Sequence, residues 1–141
     1  MVSGKVVSRF TGPLPASPEV DRSIPGGPLY PAAEVLELLK AGESAVRVWT
    51  RKCSADVQQL ALDADELVTL LREAMTVGRF TGAQWCRQNP SGPWAACDAY
   101  ALSRREWMHA AGRELSVDYY LKFAMAKTGT LLLLVSCHLS S

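Results

Sequence analysis

The sequence of 141 residues has few of the features that identify a metal site or a membrane segment. Its four cysteines, Cys53, Cys86, Cys97 and Cys137, include no Cys-x-x-Cys pair, so structural zinc is not expected. We interpret them as buried thiols of a reducing compartment. The longest apolar run, 131–135, is too short to span a bilayer, and the N-terminus has no apolar signal-peptide core. We expect a cytoplasmic protein with no membrane partner.

Other absences argue against particular classes of enzyme and binding site. No cluster of carboxylates is present, which argues against a two-metal nuclease, and no glycine-rich loop could cradle a nucleotide phosphate. We expect neither a metal nor another cofactor. The formal net charge is only +1, so a nucleic-acid partner would require the basic residues to gather locally. Several basic residues lie in the C-terminal half: Arg79, Arg87, Arg104, Arg105, Arg113, Lys122 and Lys127.

The chain is expected to form one domain after a short arm. Hydrophobic residues make up 48% and charged residues 21% of the sequence, as in ordinary globular proteins. Residues 1–28 are rich in proline, glycine and small polar residues, which predicts a flexible or weakly docked arm. Residues 29–141 have the length of a single domain.

Helical patterns come first and strand patterns follow. A helix is predicted from Pro31 to Gly42, a short extended piece at 46–49, a second helix at 54–60, and a third that Asp63 and Glu66 begin as a capping box. Strands are predicted at 79–88, 94–102, 117–125 and 130–138, whereas 103–116 is either a loop or a short helix. This order predicts an α+β fold with two or three N-terminal helices on a mostly antiparallel sheet of four or more strands.

The last two predicted strands form a hairpin that carries the candidate site. Residues 117–125 alternate at period two, which places Tyr120 and Lys122 opposite the buried side chains of the same strand. A three-residue loop centred on Gly129 would place Tyr120 across from His138, whereas a two-residue loop would pair Tyr120 with Cys137.

One face of this sheet could carry the groups that metal-independent RNA cleavage requires. His138 could accept or donate a proton near pH 7, Arg87 could stabilise the phosphorane, and Tyr120 could orient the substrate or stack on a base. Lys122 would hold the RNA backbone, with Arg104 and Arg105 nearby. Each of these residues alone is more typical of an ordinary structural side chain, and His109 is interpreted as structural.

From about residue 29 to residue 138 the chain resembles the MqsR-type toxins of bacterial type II toxin–antitoxin systems. The likeness is carried by Tyr30-Pro-Ala-Ala-Glu-Val-Leu-Glu-Leu-Leu-Lys-Ala-Gly42, by Val46-Arg-Val-Trp-Thr-Arg51 with Leu60-Ala-Leu-Asp63, by Gln84-Trp-Cys-Arg-Gln88 and Trp94-Ala-Ala-Cys-Asp-Ala-Tyr100, and by Tyr120-Leu-Lys-Phe123 and Val135-Ser-Cys-His138. The resemblance implies a RelE-related fold and an mRNA interferase that a cognate antitoxin protein neutralises. By position it implies that Arg87, Tyr120 and His138 are catalytic.

Two departures from the family pattern leave an alternative open. Arg87 stands where the family has a lysine, which keeps the charge but removes a group able to transfer protons. The glutamine that follows the family's tryptophan is replaced by Ala95 or lies in a two-residue insertion, so a substrate-orienting amide is missing. The chain could therefore be a non-catalytic RNA- or protein-binding module that kept the toxin fold.

Overall fold

A computed structural model describes residues 4–16 and 21–140. In chain order the elements are β1 (Ser23–Ile24), α1 (Ala32–Leu39), a 3₁₀ turn (Gly42–Ala45), β2 (Val46–Val48), α2 (Arg51–Gln59), α3 (Ala64–Val77), β3 (Arg79–Arg87), β4 (Trp94–Met108), β5 (Arg113–Met125) and β6 (Leu132–Leu139). The fold is α+β, with three helices and a six-stranded mixed sheet. The helices are interleaved with the first two short strands rather than grouped before the sheet.

The sheet has the strand order β1-β3-β4-β5-β6-β2. The pairings from β3 to β6 are antiparallel, as is the pairing of β1 with β3, whereas β2 lies parallel to β6 at the other edge. Residues directly opposite each other on paired strands share a face, so the registers assign every strand residue to one of two faces. Leu121 and Phe123 lie on the helix-covered face, and Lys122 lies on the open face.

The three predicted helices form, although α1 ends at Leu39 rather than at Gly42 and α2 begins at Arg51 rather than at residue 54. Thr50 begins α2 by accepting a hydrogen bond from the backbone N–H of Cys53 at 3.1 Å. Asp63 and Glu66 form the predicted capping box of α3, with bonds of 2.8 and 3.1 Å. The apolar stripes of the helices pack with Leu121 and Phe123 in one core.

The stretch 103–116 differs from both alternatives that the sequence left open. It extends β4 and β5 into a two-stranded ribbon whose register continues without a break to Met108 opposite Arg113. The ribbon projects past the other strands, since β3 begins opposite Ala101 and β6 ends opposite Tyr119. Propensity alone did not reveal this because Arg, Glu and Ser in an exposed ribbon lack the apolar alternation of a half-buried strand.

Most of the segment predicted as an arm is docked on the sheet, and residues 17–20 lie outside the described residues. Ser8 is fully buried and its hydroxyl accepts from the backbone N–H of Ala96 at 2.9 Å. The backbones of Val6 and Ser8 bridge to Trp94 and Ala126. This differs from a flexible arm because backbone hydrogen bonds, which composition does not report, attach the segment.

Candidate functional site

Tyr120 and His138 face each other across β5 and β6, as one of the two predicted registers requires. Their rings stack with centroids 5.2 Å apart and planes 26° from parallel. Both side chains are half-buried on the open face. The same face continues with Lys122 opposite Ser136, so these four side chains form a compact cross-strand patch.

The pairing of Tyr120 with His138 is reached through a β-bulge rather than through the turn alone. Next to the turn, Met125 pairs with Leu132 and Phe123 with Leu134, which is the register that would have sent Tyr120 to Cys137. Val135 is then inserted as an extra residue, and from Lys122 and Ser136 onward the register is shifted by one. The Thr50 hydroxyl donates to the Val135 carbonyl at 3.0 Å and so satisfies a group that the bulge removes from the ladder.

The environment of His138 suits a base. Its Nδ1 lies 3.1 Å from the carbonyl oxygen of Leu139. A carbonyl oxygen only accepts hydrogen bonds, so this contact selects the tautomer with the proton on Nδ1 and leaves Nε2 free to accept a proton. Asp118, two residues before Tyr120 on the same face, has its carboxylate bonded by the Ser103 hydroxyl at 2.6 Å.

Arg87 is not brought to this pair. It lies opposite Trp94, whereas Tyr120 lies opposite Ala101, seven positions further along β4. At about 3.3 Å per residue this separates the two registers by roughly 23 Å. Arg87 is the last residue of β3, and its long side chain lines the same groove as Lys122. The three residues predicted as catalytic therefore cannot share one phosphodiester.

The arginines predicted to bind RNA are placed differently from each other. Arg104 lies on the helix-covered face, where it forms ion pairs with Glu73 at 2.8 Å and Glu106 at 3.1 Å. Arg105 lies on the open face, opposite Ser116 in the projecting ribbon, and is largely exposed. Arg104 is thus engaged in packing α3 onto the sheet, while Lys122 and Arg105 remain on the face of the candidate site.

A groove of about 830 Å³ adjoins the patch and is lined by Lys122 and Ser136. We call it the cationic groove, because five basic side chains and no carboxylate line it: Arg22, Arg51, Lys52, Arg87 and Lys122. Lys52 is paired with Asp56 at 2.8 Å. Within residues 4–16 and 21–140, the other four form no ion pair. In a chain of nearly balanced charge, this groove is a local concentration of positive potential.

Cys86 lies in the floor of the cationic groove. Gln84 Nε2 donates to its sulfur at 3.7 Å. The neighbouring Cys97 thiol and the charge of Lys122 lower the pKa of Cys86 below its ordinary value, against the opposing effect of burial. The pKa values of Cys53 and Cys137 are instead raised, in each case mainly by burial. Cys86 is therefore the thiol most able to react.

Sequence reasoning missed Arg22, Arg51, Lys52, Gln84 and Cys86 as residues of one surface. One signal was present: Gln84, Cys86 and Gln88 alternate along the predicted strand 79–88, which predicts that they share one face. The positions of Arg22 and Arg51 depend on contacts between distant segments, such as the Gln88 Nε2 bond to the Trp49 carbonyl at 3.0 Å.

No known protein family, curated protein or solved structure matches this chain. Among the described residues, no helix is long and apolar enough to cross a membrane.

Proposed function

We propose that the chain is a metal-independent endoribonuclease that acts on single-stranded RNA at the open face of the sheet. The observation that carries this proposal is the joining of the stacked Tyr120–His138 pair to a groove with five cations and no carboxylate. A cationic groove can bind a phosphate backbone along its length, and the half-buried aromatic pair offers a surface on which an unpaired base can stack. The supporting residues are contributed by β3, β5, β6 and the start of α2.

The proposed reaction is transfer of the phosphodiester to the neighbouring 2′-hydroxyl. His138 Nε2 accepts the 2′ proton, the 2′ oxygen forms a bond to phosphorus, and the bond from phosphorus to the 5′ oxygen breaks. The leaving oxygen takes a proton, for which the Tyr120 hydroxyl and water are the available donors. The products are a 2′,3′-cyclic phosphate and a 5′-hydroxyl. Lys122 takes the phosphate-stabilising role first assigned to Arg87, because it shares the face of Tyr120 and His138.

The resemblance to MqsR-type toxins supports a more specific form of the proposal. In that form the substrate is mRNA, cleavage inhibits translation and growth, the fold is related to that of RelE, and a cognate antitoxin protein neutralises the enzyme. The conserved chemistry would then be the phenol and basic residue of the last hairpin, now accompanied by a lysine from the same strand.

A second candidate function is a non-catalytic RNA-binding module. The separation of Arg87 from Tyr120 and His138 favours it, because the arrangement that the toxin family would use for catalysis is divided between two places. Binding to the cationic groove requires no proton transfer and would persist without cleavage.

One experiment separates the two candidates. The purified chain is incubated in EDTA with a single-stranded RNA, and with the same RNA carrying 2′-deoxyribose at the cleaved position. The nuclease proposal predicts fragments with 2′,3′-cyclic phosphate ends from the first RNA and an intact bond at the deoxyribose in the second. Salt-sensitive binding of both RNAs without fragments would instead establish the binding module.

A further inference from the structure

Two arginines converge on one buried tryptophan at the far end of the cationic groove. The guanidinium carbon of Arg22 lies 5.2 Å and that of Arg87 lies 4.8 Å from the centroid of the Trp94 ring. Trp94 itself is only 1% exposed. The two guanidinium carbons are therefore at most about 10 Å apart, and both side chains line one cavity, although they come from the segment before β1 and from the end of β3.

This arrangement places two like charges together without a described counter-charge. Neither arginine forms an ion pair within the described part of the chain. Arg87 uses its Nε to donate to the Gly92 carbonyl at 3.3 Å, which leaves its two terminal nitrogens available. Contact with the indole ring holds each cation, but it does not neutralise the repulsion between them. An anion bound between the two groups would neutralise that repulsion.

The space beside the two arginines suits a phosphate. A cavity of about 410 Å³ is lined by Arg22, Arg87, Asn89 and Pro90, with no carboxylate among them. Asn89 Oδ1 accepts from the backbone N–H of Ser91 at 3.1 Å, which orients the side-chain amide and leaves its nitrogen to donate. Two guanidinium forks and an amide donor match the several acceptor oxygens of one phosphate group.

We propose that Arg22, Arg87 and Asn89 form a phosphate-binding site, which holds one backbone phosphate of an RNA whose other end lies on Tyr120 and His138. The identity of the phosphate as RNA rests on the proposed function, whereas recognition of a phosphate does not. The two ends are roughly 23 Å apart along the strands at about 3.3 Å per residue. A stacked single strand with a rise of ~3.4 Å per nucleotide would cross that span in about seven nucleotides, and a more extended strand would need fewer.

The RNA arm of the test measures affinity against length. Cleavage-resistant 2′-O-methyl oligonucleotides of increasing length are bound to the wild-type chain, to Arg22→Gln, and to Arg113→Gln as a matched control, since Arg113 is an exposed arginine of the ribbon on the helix-covered side. Wild type and control are expected to gain about tenfold or more in affinity once the oligonucleotide passes about seven nucleotides, as a charge-assisted phosphate contact would give. Arg22→Gln is expected to lack this gain and to show a salt slope smaller by about 0.7.

The second arm uses inorganic phosphate and the indole N–H resonance of Trp94, with chloride at the same ionic strength as the reference. Phosphate is expected to shift this resonance in the wild type and not in Arg22→Gln. A phosphate response without RNA binding would keep the phosphate site and overturn the RNA function. RNA binding with the same length dependence in wild type and Arg22→Gln, and no phosphate response, would overturn the site and leave the RNA function standing.

Discussion

The two ends of the cationic surface are built in different ways. At one end, Tyr120 and His138 meet because β5 and β6 form a hairpin, and they are paired directly across it. At the other end, Arg22 and Arg87 meet over Trp94 only because the segment before α1 lies along β3, where the Trp85 N–H donates to the Arg22 carbonyl at 2.9 Å. The first end depends on local register, and the second depends on docking of distant segments.

The two ends also differ in the functional groups that they hold. The hairpin end holds an imidazole and a phenol, which can exchange protons, whereas the Trp94 end holds permanently charged guanidinium groups, which can only bind. We therefore expect changes at the hairpin end to affect the rate of cleavage and changes at the Trp94 end to affect affinity.

The largest effect is expected at the hairpin end. His138→Ala and Tyr120→Phe should each lower the rate of RNA cleavage by about 10²- to 10⁴-fold, because each removes a group proposed to act in proton transfer. Matched controls are His109→Ala, on the exposed ribbon, and Tyr119→Phe, on the helix-covered face. Cleavage rates of purified variants, with growth and RNA integrity in expressing cells, provide the measurement. Variants that cleave as fast as the wild type would remove both residues from the mechanism.

Asp98→Ala should disrupt the docking on which the other end depends. The buried Asp98 carboxylate accepts from the backbone N–H groups of Leu29 at 2.9 and 3.0 Å and of Tyr30 at 3.0 Å. Its removal leaves one buried and one partly buried donor unsatisfied, so we expect a loss of about 2 to 6 kcal/mol in unfolding free energy, at roughly 1 to 3 kcal/mol for each donor.

Urea unfolding measures this loss, and Asp118→Ala, at an exposed carboxylate, is the control. Burial raises the pKa of Asp98 above 3.8 despite these hydrogen bonds. Because the folded state then holds the proton more tightly than the unfolded state, ionisation of this carboxyl costs stability as the pH rises from 3.8 through the folded pKa. An effect of Asp98→Ala no larger than that of Asp118→Ala would contradict its anchoring role.

Thr50→Val tests whether the bulge fixes the hairpin end. It removes both the cap of α2 and the donor to the Val135 carbonyl, so a loss of about 1 to 2 kcal/mol in unfolding free energy is expected. Cleavage should also fall, although Thr50 is not part of the Tyr120–His138 pair. Thr76→Val, whose hydroxyl bonds only within α3, is the control and should change stability by no more than about 0.5 kcal/mol. Equal stability of the two variants would show that the bulge holds without Thr50.

The smallest expected effect concerns Cys86, which lies between the two ends. Because its pKa is lowered, whereas those of Cys53 and Cys137 are raised, its alkylation by iodoacetamide should reach its midpoint at a lower pH than the alkylation of those two thiols. Lys122→Met should move this midpoint upward by removing the nearby positive charge. Peptide mass spectrometry after brief labelling at a series of pH values gives the result. A midpoint near the ordinary thiol value would mean that neither Cys97 nor Lys122 stabilises the Cys86 thiolate.

The sequence predicted the parts that local chemistry determines. The capping box at Asp63 and Glu66 and the alternation from Val117 to Met125 gave α3 and the core of β5. The pairing of Tyr120 with His138 was one of two registers that the turn allowed. The bulge that selects it depends on Thr50, more than eighty residues away, and so could not be deduced from the hairpin alone.

The rest required contacts that no local pattern reports. Arg87 was placed beside Tyr120 by analogy, and only the strand registers show that it lies opposite Trp94, seven positions along β4 from the partner of Tyr120. Arg22 lies in a proline- and glycine-rich segment that composition assigns to an arm, yet its backbone pairs with β3. Polar segments that dock through long-range contacts show no hydrophobic periodicity in their sequence, and the Trp94 end was missed for this reason.

The most direct test is to locate RNA on the protein. A single-stranded RNA carrying 4-thiouridine is bound to the chain, irradiated, and the cross-linked peptides are identified. We predict cross-links to the open face, in peptides that contain Tyr120 and Lys122 or Ser136 and His138, and their loss at high salt. Cross-links confined to the exposed surfaces of α1 and α3 would contradict the account, because those helices lie on the other side of the sheet.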